Sequence, residues 1–481
     1  MPLGCSSSQN TDHDSAARDT TQTIRSISEE DALADFDAVW SIVNETHFDT
    51  TFNGVDWAAM RDEYRPIAAQ SQSLGELRGV TQGMLGRLGQ SHFGIIPSST
   101  ADPAAEAEQL AVDHDYSETP SSDAGAEMND EGYREIEAVV PERNRDGDGD
   151  ADTGIDIRIV EGRAVVSSVR DSSPAYYAGV KTGWVLVDIR ERVVDDMLEQ
   201  LREALGDEEM GIHAVGMLSN RLQGPDGSTV PVTFLDGTDR EVELTIEREP
   251  MPGEFVKFGN LPPMSTHLEW SRESFTNEDG EFAEIGIIRF NIWMIPIAPK
   301  FERAMYELRD CDGIIIDLRG NPGGVGALSA SVGRFLVSER GSLGTMTMRG
   351  AELKFNVEPV IVTTWGEELD PFSGPIAVLQ DSGSASTSEV FAGGMQSLGR
   401  IKVFGTRSAG MALPAGMVKL PSGDVLLHAI ADFVTSTGAR MEHGGVIPDF
   451  EVELKREDLL MGIDTPEQAA KSWIADQADA R

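Results

Sequence analysis

A chain of 481 residues with 39 Lys and Arg against 82 Asp and Glu carries a net charge of −43, which repels nucleic-acid phosphates and anionic membrane surfaces and so excludes both as partners. No apolar run approaches the ~18 residues of a membrane-crossing helix, and Cys5 and Cys311 are the only cysteines, too few for a disulfide framework. The length leaves room for about three domains, each able to bury its own core.

Residues 1–23 read as a disordered tether. Met1-Pro-Leu-Gly-Cys5-Ser-Ser-Ser8 resembles the end of a bacterial lipoprotein signal in which Cys5 would carry lipid, although no charged or apolar region precedes it. That resemblance implies an extracytoplasmic place, periplasmic or at the cell surface, with a cytoplasmic one as the alternative. Residues 24–97 are expected to be helical, because Leu33, Phe36, Val39, Trp40 and Val43 recur at helical spacing; the stripe reads as core packing, with no case for a cofactor site. Residues 98–153 are acidic and poor in large apolar side chains, the composition of a flexible linker. Inside it, Asn144, Asp146, Asp148, Asp150 and Asp152 with Gly149 imitate the first half of a calcium loop, but Ile155 stands at the twelfth position, where a bidentate Glu is needed. A solvated acidic run is the preferred reading and weak calcium binding the alternative. No other metal-ligand spacing appears, and no cofactor is expected.

Residues 154–249 alternate as short strands do: Gly154 to Ile159, Ala164 to Val169, Trp184 to Ile189, Val230 to Phe234 and Val242 to Ile246, with a helix opening at Ser173-Pro174-Ala175. The pattern resembles a PDZ domain. The resemblance implies that an extended peptide adds as a strand, its carboxylate held by the backbone of Gly154, Ile155, Asp156 and Ile157; the alternative is a small β-domain that shields the active site.

Residues 250–465 read as the catalytic core and 466–481 as a C-terminal helix or tail. Gly313-Ile-Ile-Ile-Asp-Leu-Arg-Gly-Asn-Pro-Gly-Gly324 is a buried parallel-type strand running into a glycine turn. Asp381-Ser-Gly-Ser-Ala-Ser-Thr-Ser-Glu389 follows the apolar run Pro375 to Leu379 and precedes a helix-like segment. A serine on so sharp a strand-to-helix turn would face a cleft beside unpaired helix N–H groups that can stabilise an oxyanion. Taken alone, the stretch could equally be a Ser-rich helix cap.

The two motifs together resemble the core of the C-terminal-processing and tricorn-type serine peptidases, which implies an α/β fold with a Clp-protease/crotonase-like superhelical core, an N-terminal helical region and an inserted PDZ β-domain. By that resemblance Ser386 is the nucleophile, Ser384 and Ser388 support it, and the oxyanion donors are the N–H groups of Gly323 or Gly324 and of Thr387. The processing branch uses a lysine 25 residues after the serine; here that position is Met411, which cannot take a proton, and Lys402 and Lys419 do not fit it. The tricorn branch uses a histidine, and Ser91-His92 fits its pattern. A neutral-range imidazole can take the serine proton and return it to the leaving amine. The resemblance supplies Ser91 and Glu442 to hold the ring, completing a tetrad of Ser386, His92, Ser91 and Glu442. His443 is the rival base; His428 reads as a core or pocket-wall residue, and His13, His47, His114, His213 and His267 as surface or packing residues.

The expected function is therefore that of a serine peptidase acting on peptide or protein substrates, captured by way of their C-termini. A catalytically inactive peptide-binding relative and a crotonase-like acyl-transfer enzyme are the alternatives.

Overall fold

The computed structural model describes residues 27–98, 149–257 and 263–479. The tether with Cys5, most of the acidic linker and positions 144–148 of the calcium-like run lie outside the described residues.

Three helices open the chain, each begun by a side chain that accepts an otherwise orphaned N–H. Ser28 caps α1 (Glu29–Thr46), Asp56 caps α2 (Trp57–Ala68) and Ser73 caps α3 (Leu74–Gly86). Ala32, Phe36, Val39 and Val43 of α1 are buried, and Trp40 and Trp57 each donate their indole N–H to the other's carbonyl, at 2.8 and 3.2 Å. The chain then enters β1 (Gly94–Ile96). Its antiparallel partner lies more than 300 residues away, so this region is stitched to the far end of the sequence.

The middle of the chain is an antiparallel sheet of β2 (Ile155–Val160), β3 (Arg163–Val169), β4 (Val185–Ile189), β5 (Thr229–Leu235) and β6 (Glu241–Glu247), in that spatial order. The short α4 (Pro174–Ala178), then α5 (Val194–Leu205) and α6 (Asp207–Leu222), accompany it. It has its own core, with Ile157, Val166, Leu186, Leu218 and Phe234 fully buried.

The core domain is built on a six-stranded sheet in the order β7 (Leu268–Thr276), β8 (Phe282–Phe290), β9 (Gly313–Asp317), β12 (Ile376–Gln380), β13 (Lys402–Gly405) and β17 (Phe450–Glu451). The first pair is antiparallel and every later pair parallel. All five residues of β9 and of β12 are buried, because both faces of a parallel sheet are covered and a strand there needs no polar face. Ile314, Ile316 and Val378 point to one side, among residues of α7 (Ile297–Glu307), α8 (Ala327–Gly333) and α9 (Thr387–Ser397); Ile315, Ala377 and Leu379 point to the other, toward Ala470 and Ile474 of α10 (Thr465–Asp479). A three-stranded sheet of β11 (Ala351–Val357), β10 (Gly341–Met348) and β16 (Ala431–Thr435) flanks α9. The hairpin β14 (Ala415–Lys419) and β15 (Val425–Ala429) receives β1.

Side-chain bridges hold the N-terminal helices to this core. Arg78 makes a two-pronged contact with the buried Asp424, at 2.6 and 2.8 Å, and Asp35 accepts from the Ser422 N–H and hydroxyl. Arg349 donates to the carbonyls of Asn44, Glu45 and His47 at the end of α1, where a cation satisfies both orphaned carbonyls and the helix dipole. Among the described residues no helix is long and apolar enough to cross a membrane.

Candidate active site

The turn between β12 and α9 is held by the turn that follows β9, its neighbour in the sheet. Asp381 accepts the N–H of Gly320 at 2.8 Å and of Gly383 at 2.9 Å. Ser384 donates its hydroxyl to the Leu318 carbonyl, and the Ala385 N–H reaches the Asn321 carbonyl at 3.1 Å. Ser388, the second supporting serine, donates to that carbonyl and accepts the Trp293 indole N–H at 2.9 Å. Ser386, the residue before α9, is forced to φ 54° and ψ −114°, a region that costs a residue with a Cβ about 1–3 kcal/mol and persists only where surroundings over-determine it.

Glycine is required opposite it. A Cβ on Gly323 would lie 2.7 Å from the Ser386 Cβ and 2.9 Å from the Thr387 nitrogen, at φ 98°; one on Gly324 would meet the Trp293 carbonyl oxygen at 2.3 Å. The three expected oxyanion donors are therefore neighbours, but they are not equivalent. The Gly323 N–H is spent on the Asn321 side-chain oxygen at 3.0 Å, whereas those of Gly324 and Thr387 have no acceptor among the described residues. The last two are the free donors.

The Ser91-His92 segment comes from the end of the helical region, between α3 and β1. His92 sits at φ 61°, and its Nδ1 is 2.8 Å from the Ser91 Oγ. The Ser91 hydroxyl donates to Glu442 Oε2 at 2.8 Å, and its N–H donates to Oε1 at 2.8 Å. Because the one hydroxyl proton goes to Glu442, Ser91 accepts from His92 Nδ1–H, which leaves the Nε2 lone pair free to take a proton. The expected neutral-range imidazole differs here: burial pushes His92 down to about 4, since a hydroxyl rather than a carboxylate touches the ring. No hydrogen bond joins Ser386 to His92 among the described residues; such contacts are often open in unliganded sites and tighten with substrate.

Residues 408–412 connect the two halves. Met411, at the position a lysine would occupy, accepts the Ser386 N–H on its carbonyl at 2.9 Å, and the Ala412 N–H donates to Glu442 Oε2 at 3.1 Å. Behind them lies Glu389, which sequence reasoning left without a role. It is fully buried and accepts from four donors: the N–H groups of Ser386 (3.0 Å), Gly410 (2.8 Å) and Met411 (3.0 Å), and the Ser408 hydroxyl (2.6 Å). The spacing Ser386-x-x-Glu389 at a helix start is the capping-box signal that could have found it.

The other histidines sort by position. His443 has a side chain 51% exposed, with its Nε2 3.8 Å from Glu442 Oε1, beyond hydrogen bonding. His428 is buried, 3.2 Å from the Thr46 hydroxyl, and burial pushes it to about 4. His47 is also buried and braces the Ser91 segment through Gln90 at 2.9 Å. Lys402 donates to Asp449 at 2.6 Å and Lys419 is exposed.

In the β-domain, Gly154 adopts φ 79° and packs where a Cβ would strike Ser173 at 2.3 Å, but its N–H already donates to Asp152 at 2.9 Å. Ile155 starts β2, the Asp156 carboxylate pairs with Arg158 at 2.9 Å, and Ile157 is wholly buried. β2 is the edge strand of its sheet. Arg158 also pairs with Asp381 at 2.9 Å, so this domain touches the nucleophile turn itself.

The family description Peptidase family S41 matches residues 284–452, and the Tricorn protease C1 domain matches residues 28–86. Carboxyl-terminal-processing peptidase 3, chloroplastic, of Arabidopsis thaliana is 24% identical over 444 residues, covering 91% of this chain and 70% of the relative. A carboxyl-terminal-processing protease of Synechocystis sp. is 23% identical over 419 residues, covering 86% and 79%. Among solved structures, the photosystem II D1 C-terminal processing protease superposes with a TM-score of 0.52 at 20% identity, over 89% of this chain and 94% of that one. Mature CPAF complexed with lactacystin does so at 0.56 and 13% identity, over 94% and 98%. These likenesses show a shared mixed α/β fold. The chain is thus similar to the tricorn-type and carboxyl-terminal-processing peptidases of family S41, its family match lying in residues 284–452.

Proposed function

We propose that the chain is a serine peptidase in which Ser386 attacks the scissile carbonyl and His92, held by Ser91 and Glu442, is the general base. Ser386 Oγ gives its proton to His92 Nε2 as it adds to the carbonyl carbon; the oxyanion is received by the N–H groups of Gly324 and Thr387, with Gly323 needed for close approach more than for donation. His92 then returns the proton to the leaving amine, and water hydrolyses the acyl-enzyme by the same steps. Glu442 acts through the Ser91 hydroxyl, orienting the ring and favouring the imidazolium.

The observation that carries this reading is the Met411–Ala412 link: one residue is bonded to Ser386 and the next to Glu442. The relatives' names describe carboxyl-terminal processing, and we extend that activity to this chain. We read the 154–249 unit as an inserted PDZ domain that helps capture substrates by strand addition on β2, the 250–465 core as Clp-protease/crotonase-like, and the protein as extracytoplasmic. The test is labelling with a fluorophosphonate probe followed by peptide mapping. An adduct on Ser386, absent in Ser386→Ala, supports the reading; a wild type that hydrolyses peptides with no adduct on Ser386 overturns it.

A further inference from the structure

The buried Glu389 has no place in the chemistry just described, yet it touches both halves of the machinery. Its Oε2 accepts from the Ser386 and Met411 N–H groups and its Oε1 from the Gly410 N–H and the Ser408 hydroxyl. Every neighbour in hydrogen-bond reach is a donor. The Ser408 oxygen accepts the Val446 N–H at 2.6 Å, and its own proton is directed at Glu389 Oε1. A carboxylate satisfies such a site, since two ionised oxygens offer about four acceptor positions. A carboxylic acid or an amide puts a hydrogen among donors and leaves a buried N–H or hydroxyl unpaired.

We infer that Glu389, in its ionised form, is the positioning residue that sets Ser386 against His92. It holds the strained backbone of Ser386 from below and fixes the 408–411 loop, whose next residue, Ala412, is bonded to the Glu442 that orients His92 through Ser91. The inference rests on the reading of Ser386 and His92 as nucleophile and base.

Two properties of the site make the charge state matter. Burial raises the Glu389 carboxyl against the pull of its four donors, to about 7. The charged or titratable groups on the segments packed around it are Asp381 on the nucleophile turn, Arg407 on the loop, Glu442 and His443 on the following segment, and His92 beyond Ser91. None of these forms a hydrogen bond or ion pair with its carboxylate among the described residues. Activity therefore rises as Glu389 loses its proton near neutrality, while the ionisation of His92 lies lower. Stability moves the other way. A carboxyl raised in the folded state holds a proton that the unfolded chain has released, so its contribution is full below the ordinary value of 4.5 and is lost as pH rises through about 7.

The test is a pH profile of kcat/KM on the full chain with a peptide substrate, for wild type, Glu389→Gln and Ser408→Ala. Glu389→Gln is expected to lower kcat roughly a hundredfold, the scale of an ångström-sized misplacement of catalytic groups, with KM within about threefold. The acid limb near 7 should disappear, leaving one at lower pH that belongs to His92. Ser408→Ala removes one donor to the carboxylate and should move the acid limb upward, a readout that survives if the glutamine variant fails to fold. An unchanged limb in Ser408→Ala, or a Glu389→Gln variant with wild-type kcat and profile, overturns the inference. Ser386→Ala separates this failure from a deeper one. If that variant still turns over, the nucleophile is wrong; if it is dead while Glu389→Gln is normal, the positioning role alone is wrong.

Discussion

The two halves of the active site are held in place by different means. The nucleophile half is local: Ser386 sits between a fully buried strand and a helix whose residues Thr387–Met395 are all buried, and its turn is bonded to the adjacent turn after β9 through the Ala385 N–H and the side chains of Asp381, Ser384 and Ser388. The base half is assembled from a distance. Ser91 and Glu442 are 351 residues apart in sequence, and the helical region carrying His92 is tied to the core by side-chain bridges such as Arg78 to Asp424 and Arg349 to the end of α1. The local half should be sensitive to close approach and to the buried polar side chains that brace its turn, whereas the distant half should be sensitive to each of the few side chains that bring it in.

The largest effect should come from the base. His92→Ala is expected to lower kcat/KM by roughly 10³-fold or more, because acyl transfer loses its proton acceptor. A loss below tenfold would shift the role to the exposed His443. Gly323→Ala probes the other half. Its new Cβ would press on the Ser386 Cβ and the Ala385 oxygen, at 2.7 and 2.8 Å, so kcat should fall about 10²-fold through misplacement of the serine. Near-normal activity would mean the two turns are looser than their contacts indicate.

Glu442→Gln should lower kcat while largely preserving KM. An amide can accept from only part of the set formed by the Ser91 N–H, the Ser91 hydroxyl and the Ala412 N–H, and it no longer favours the imidazolium. A rise in KM with unchanged kcat would instead place Glu442 in substrate binding.

What was legible in the sequence follows the same division. The strand-turn-helix around Ser386 and the glycine turn near Gly323 could be read because their signals, an apolar run followed by small residues, are contiguous. The meeting of Ser91, His92 and Glu442 could be anticipated only from the family resemblance. The tuning of the site was not legible: that Gly323 spends its N–H on Asn321 and Gly154 its own on Asp152, and that burial carries His92 below neutrality, depend on packing. Glu389 shows the limit most clearly. Its capping-box spacing marks a helix start, yet three of its four donors come from residues 408–411, which no local pattern connects to it.

Smaller effects separate stability from catalysis. Arg78→Ala leaves the buried Asp424 without its cation and should cost about 1–3 kcal/mol, seen as a lower Tm with kcat within a few-fold; unchanged Tm would mean the helical region docks by apolar packing alone. His428 contributes in a predictable direction. Its folded pKa of about 4 lies below the ordinary 6.5, so its stabilising contribution is present above 6.5 and is lost as pH falls toward 4. His428→Gln should flatten the dependence of Tm on pH in that window, and an unaltered slope would assign it to other groups.

The account stands on Ser386 and His92 acting as one unit, and a double-mutant cycle measures that directly. Residues that act together are grossly non-additive, so kcat/KM of Ser386→Ala combined with His92→Ala should be no lower than that of Ser386→Ala alone. Losses that multiply, giving a double variant slower by the product of the two single effects, would show that the serine and the histidine work independently and would contradict the pairing.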